Sequence, residues 1–222
     1  MGMQMQPRPA ERKNMEKKSS RSSAGNRKFK WNLNVRITFN SPVILTMVGI
    51  CFLATLLNYL TFGQSNRLLF STYRAPLYSP MTWIRWFTHI FGHADWSHFM
   101  GNTGYLLLLG PLLEEKYGAR RLIAVIAITA FVAGVLNFLF FPHVGLLGAS
   151  GVVFAFILLS SFTSFKEGEI PLTFLLVALF YIGQQVVEGI TVNDNVSYAG
   201  HIVGGITGAV LGFRLNGKSG KA

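Results

Sequence analysis

Apolar and polar positions divide the chain into a polar head and six apolar segments. Residues 1–41 show no apolar periodicity and predict a mostly disordered, basic tail at a membrane surface. Val43–Phe62 is the first apolar run, 20 residues or about 30 Å of helix, enough to cross a bilayer. It is too long, and too far from the start, for the apolar core of a signal peptide. Five more runs follow: His98–Leu113, Leu122–Phe141, Ser150–Phe165, Ile170–Val187 and Ser197–Phe213. Tyr117-Gly118 predicts a helix end and turn, Pro142 a stop, and Pro171 a first helical turn. The fourth run has only 16 residues, about 24 Å of helix, so its N-terminus is expected below the membrane surface. The long connection Gly63–Ser97 carries Trp83, Arg85, Trp86, Phe87 and Trp96. Its length predicts structure of its own, and its residue types suit the interfacial layer. The expected architecture is an all-α integral membrane protein, a six-helix bundle over 42–213 between basic tails at 1–41 and 214–222.

Composition sharpens this picture. Half of the 222 residues are hydrophobic and 13% are charged, where a soluble domain carries about 25% charge. Mean hydropathy is +0.39. A net charge of +11 raises nucleic-acid binding, but its distribution argues for membrane topology instead. Of 20 Lys/Arg, ten lie in 1–41, three between Lys116 and Arg121, one at Lys166 and three from Arg214 onward. Only Arg67, Arg74 and Arg85 fall on the other side. With six spans, the positive-inside rule puts both termini in the cytoplasm. A bacterial plasma membrane is the simplest address. The single cysteine, Cys51, excludes an intramolecular disulfide and reads as a packing residue.

Polar groups inside apolar runs need partners or a task. Ser150 stands between glycines in Gly148-Ala149-Ser150-Gly151. His201 sits in the last run beside Gly200, Gly204, Gly208 and Gly212, a fourfold-spaced stripe on one helix face. That stripe lets a helix approach another backbone closely, and the Ser150 helix is the natural partner; a purely structural glycine zipper is the plain alternative. A neutral imidazole is the usual base for a serine nucleophile. His98 and Asn102 are four apart on one face and can donate hydrogen bonds to an oxyanion. The charge-derived topology puts all four in the outer half of the bilayer. No carboxylate lies deep in a span, so a Ser–His dyad fits better than a triad, and the soluble-hydrolase Gly-x-Ser-x-Gly elbow is absent. His89, His93 and His98 could suggest a metal, but no adjacent helical acid completes a ligand set. No metal and no cofactor are expected. Asp95 reads as an N-cap.

Taken together, His93-x4-His98-x3-Asn102, Gly148-Ala149-Ser150-Gly151 and Ala199-Gly200-His201 with its glycine stripe resemble the rhomboid intramembrane serine proteases, in order and across all six spans. The resemblance implies Ser150 as nucleophile, His201 as general base, and His98 with Asn102 as oxyanion donors. It implies cleavage of transmembrane protein substrates near the outer ends of their spans. Phe154 resembles the family's aromatic packed on the histidine, and Glu114 an acidic residue near the end of the second span. Arg85 resembles the arginine of a Trp-Arg loop motif, with Ile84 in place of the tryptophan. The fifth span and Glu188–Val196 are the expected gate. The competing readings are a non-catalytic membrane-protein binder of the same fold and a small transporter, although no repeated halves or midplane charges favour the latter.

Overall fold

The computed structural model describes residues 39–162, 170, 172–191 and 198–216, together with Gly2, Pro9 and Ala10. Most of the predicted tail at 1–41, Lys166, the side chains of Glu188–Val196 in the expected gate, Asp194 among them, and residues 217–222 lie outside the described residues. The chain divides into two units, 1–38 and 39–222, and all the helices that follow belong to the second.

Among the described residues of this unit the α-helices run in order α1 (Pro42–Leu60), α2 (Pro80–Thr88), α3 (Trp96–Tyr117), α4 (Ala119–Phe140), α5 (Ser150–Ser160), α6 (Leu172–Thr191) and α7 (Tyr198–Asn216). The only strand-like pairing among the described residues is an isolated antiparallel bridge, Thr72 to Leu146. Among those residues, α1 and α4 are long and apolar enough to cross a membrane, and α5 is a shorter apolar helix. The predicted boundaries shift by a few residues, as capping chemistry dictates. The second run extends at both ends because the Asp95 carboxylate accepts the His98 N–H at 2.8 Å and starts α3. The fourth is corrected downward: α5 has 11 residues, not 16, and is about 16 Å long.

The shortness of α5 follows from its position. It packs against α3, α4, α6 and α7. Val152, Ala155, Phe156, Leu158 and Leu159 have no exposed surface. A helix that is apolar all round and enclosed by other helices has no need to match the bilayer thickness. The closest approach is between α5 and α7. A Cβ on Gly204 would fall inside the backbone of Gly151, one on Gly208 inside that of Ala155, and one on Gly212 would meet the Phe162 ring at 2.5 Å. The glycine stripe is therefore the surface that seats α7 on the serine helix, as its spacing predicted.

The connection 63–95 has structure of its own. A π-turn at Asn66–Phe70, α2, and a 3₁₀ turn at His89–Phe91 occupy most of it. Arg85 is buried; its Nε donates to the Leu68 carbonyl at 2.9 Å and its guanidinium lies 4.6 Å from the Tyr73 ring centroid. Thr88 Oγ1 donates to the Leu69 carbonyl, and Asn66 Nδ2 donates to the His93 carbonyl at 2.8 Å. Trp83 and Phe87 are exposed, while Trp86 is buried against Phe131 and Phe138. Cys51 is a packing residue, its thiol 3.8 Å from the Ile90 carbonyl.

Glu114 has a larger part than a flanking charge. It is buried, accepting from Ser41 Oγ at 2.5 Å, from the Val43 N–H at 3.1 Å and from the Ile44 N–H at 3.3 Å. The carboxylate thus caps α1 from the end of α3, where the helix dipole favours negative charge. Glu114→Ala is expected to lower unfolding stability in detergent micelles by about 2–3 kcal/mol, with Glu114→Gln intermediate because it keeps one acceptor. A melting profile unchanged by Glu114→Ala would refute the capping role.

Candidate active site

Ser150 opens α5, with Ala149 at the N-cap. The preceding loop is held at three points. The Asn137 amide, from α4, donates to the Val144 carbonyl at 2.9 Å and to the Thr72 carbonyl at 3.3 Å. Leu146 exchanges two backbone hydrogen bonds of 2.9 Å with Thr72. The Gly148 N–H donates to the His89 carbonyl at 2.9 Å. His89 is itself anchored, its Nε2 3.0 Å from the Ala130 carbonyl. The result is a turn in which Gly148 adopts φ +116°, a backbone conformation natural only to glycine.

Gly148 also brings the oxyanion candidates in. A Cβ there would stand 2.7 Å from His98 Cε1, 2.8 Å from His98 Nε2 and 3.7 Å from Asn102 Nδ2. His98 and Asn102 thus come together at the turn that delivers Ser150, from one face of α3. The His98 ring is flanked by His93, with centroids 5.0 Å apart and rings near perpendicular. Asn102 is buried, and its Nδ2 has no hydrogen-bond partner among the described residues. The first N–H groups of α5 likewise have no partner within the helix. Several donors therefore converge beside Ser150.

His201 approaches the same helix from α7. Its ring stacks on Phe154, with centroids 4.6 Å apart and planes 6° from parallel. Phe154 is one turn from Ser150 on the same face of α5. The Tyr198 ring lies near perpendicular to the imidazole, with centroids 6.3 Å apart. A Cβ on Gly151 would lie only 3.4 Å from the Gly200 carbonyl oxygen, so the backbones flanking Ser150 and His201 are in contact. The aromatic expected on the histidine is Phe154, as the resemblance implied.

No cluster of three or more His, Cys, Asp or Glu suited to a metal occurs among the described residues. His89 Nε2 and His93 Nδ1 face carbonyl oxygens of Ala130 and Phe91. Both imidazoles lie in the connection before α3. Burial holds His89 down at about 4 against the pull of the Ala130 carbonyl. Burial, then the like charge of His98, holds His93 at about 4, opposed by the Phe91 carbonyl and Asp95. Both are neutral at pH 7 and act as rigid struts. Thr72, His89 and Asn137 were not singled out as site supports from sequence. Asn137 did carry a signal, a lone amide within an apolar run.

Residues 80–218 match the Rhomboid domain family, and the chain is a member of that family of integral membrane proteins. It is 30% identical over 200 residues to an uncharacterized protein of Mycobacterium tuberculosis, covering 84% of this chain and 80% of the relative. It is 24% identical over 148 residues to rhomboid-like protein 11, chloroplastic, of Arabidopsis thaliana, covering 60% and 53% of the two chains. It is 27% identical over 148 residues to rhomboid-related protein 1 of Caenorhabditis elegans, covering 63% and 41%.

Proposed function

We propose that the chain is an intramembrane serine endopeptidase acting on transmembrane proteins through a Ser150–His201 dyad. Six spans, α1 and α3 to α7, form the bundle, and α2 lies along the outer interface. Both termini face the cytoplasm, on the side of most lysines and arginines. His201 takes the Ser150 hydroxyl proton as the oxygen attacks a substrate carbonyl. The tetrahedral oxyanion receives hydrogen bonds from His98, Asn102 and the backbone N–H of Ser150, with the α5 dipole behind them. Collapse expels the amine, which takes the proton from His201, and water entering from the outer side hydrolyses the acyl-enzyme. A substrate helix must unwind locally first, because its carbonyls are engaged in its own hydrogen bonds.

The observation that carries this reading is the stack of His201 on Phe154, one turn below Ser150. Phe154 and Ser150 share a face of α5, which supports His201 as the base for that serine. The unpaired Asn102 amide supports the oxyanion role. A buried donor without an acceptor costs about 1–3 kcal/mol, and a site that gains its acceptor only when charge develops accounts for it. Purified protein should cleave a single-span substrate within or beside its span, and Ser150→Ala should not.

Asn102→Ala is expected to lower kcat more than it changes KM. Loss of one oxyanion donor costs about 10²–10³ in rate where such donors have been removed, and His98 and the Ser150 N–H remain to soften the loss. Its thermal stability should stay within about 1 kcal/mol of wild type, since no hydrogen bond of Nδ2 is given up. Full activity would remove Asn102 from the site. A large loss of stability with lost activity would assign it to helix packing instead.

A further inference from the structure

An apolar groove of about 520 Å³ opens between α1 and α4. Pro42, Met47 and Ile50 form one wall, and Ile123 and Ile126 the other. The α4 wall runs from Ala119 to Ala130, about 16 Å at the helical rise. That is close to the depth of one leaflet, half of a hydrocarbon core about 30 Å thick. One end is closed by Phe87, Ile90 and Phe91, tied to α4 through His89 and the Ala130 carbonyl. The other end lies where α1 and α4 begin. An extended hydrocarbon chain of one leaflet's depth spans that length.

Charge identifies the head that goes with the chain. Exposed Arg120 follows Ala119 on the side of α4 next to the groove face, while Arg121 projects from the opposite side of the helix. Glu114, the nearest buried acid, is engaged with the α1 N-terminus. The end of α3 and the start of α4 carry exposed Glu115 against Lys116, Arg120 and Arg121, a net positive charge. We propose that this groove binds one acyl chain of an anionic phospholipid of the cytoplasmic leaflet, with its phosphate at Arg120. The assignment to that leaflet rests on the orientation proposed above. Such a lipid would occupy the face remote from α5 and α7, acting as a fixed part of the bundle wall between α1 and α4.

Full-length protein in mixed micelles would be offered phosphatidylglycerol and phosphatidylcholine in equal amount, and retained lipid read by native mass spectrometry. Retention of phosphatidylglycerol is expected to exceed that of phosphatidylcholine by about fivefold or more, one arginine near the surface being sufficient for that factor. Arg120→Gln should bring the two lipids close to parity, and Arg121→Gln should leave most of the preference in place. A phosphatidylglycerol with a photoreactive acyl chain should label residues 42–50 and 119–130 above the other apolar helices. Ile123→Trp, at a half-exposed rim position that folding tolerates, should suppress that labelling. Equal retention by wild type, or preference surviving Arg120→Gln, would overturn the headgroup assignment. Labelling spread evenly over the bundle, or unchanged in Ile123→Trp, would overturn the groove. Neither readout depends on proteolysis, so this result and the fate of the serine-protease reading are independent.

Discussion

Cleavage of a single-span substrate is expected to fall to background in Ser150→Ala and almost as far in His201→Ala. The expected loss is about 10⁴-fold or more in kcat for each, because a nucleophile and its base act as one unit and their effects do not add. The double variant should therefore be no worse than Ser150→Ala alone. Both single variants should remain folded. Ser150 sits at the first position of α5 and is only part-buried, and alanine is a good helix former there. His201→Ala removes a ring stacked on Phe154, a modest packing loss of about 1 kcal/mol. Additive losses in the double variant, or strong residual cleavage in His201→Ala, would point to another base.

The largest effect on folding is expected at Gly204. A side chain there meets the backbone of Gly151, and backbone cannot turn aside as a flexible side chain can. Overpacking usually costs about 1–3 kcal/mol; Gly204→Leu should reach about 3 kcal/mol or more, because α7 must leave α5 to admit it. Since that contact also carries Gly200 and His201 to the serine helix, activity should disappear with stability. Gly49→Ala is the contrast. Nothing lies within 4 Å of a Cβ at Gly49, and the change should be neutral or stabilising by up to about 1 kcal/mol. Denaturation of the two variants in matched micelles reads the difference. Wild-type stability in Gly204→Leu would mean that α5 and α7 are not closely seated.

How far the sequence reached depends on the kind of signal each residue gives. The glycine stripe of α7 was legible because small residues at every fourth position have few other uses in an apolar run. The shared face of His98 and Asn102 was legible because helical spacing fixes it, whereas Phe154 was legible only through the family resemblance. The length of α5 was not, because apolar periodicity continues past Ser160 while the helix stops there. Glu114 gave an ambiguous signal: an acidic residue at the end of an apolar run looks like a flanking charge until the fold places Ser41 and the start of α1 beside it. The supports of the Ser150 loop escaped for a related reason. Thr72 and His89 act through backbone groups, and Thr72 lies 74 positions before Leu146, its partner. No local pattern encodes a contact of that range.

The central claim is that Ser150 is a nucleophile activated within the bundle, and covalent labelling tests it most directly. Purified protein treated with a fluorophosphonate should gain one adduct, mapped to Ser150. Labelling should be absent in Ser150→Ala and much slower in His201→Ala. Equal labelling of wild type and Ser150→Ala, or no labelling of wild type under conditions that modify a control serine hydrolase, would contradict it.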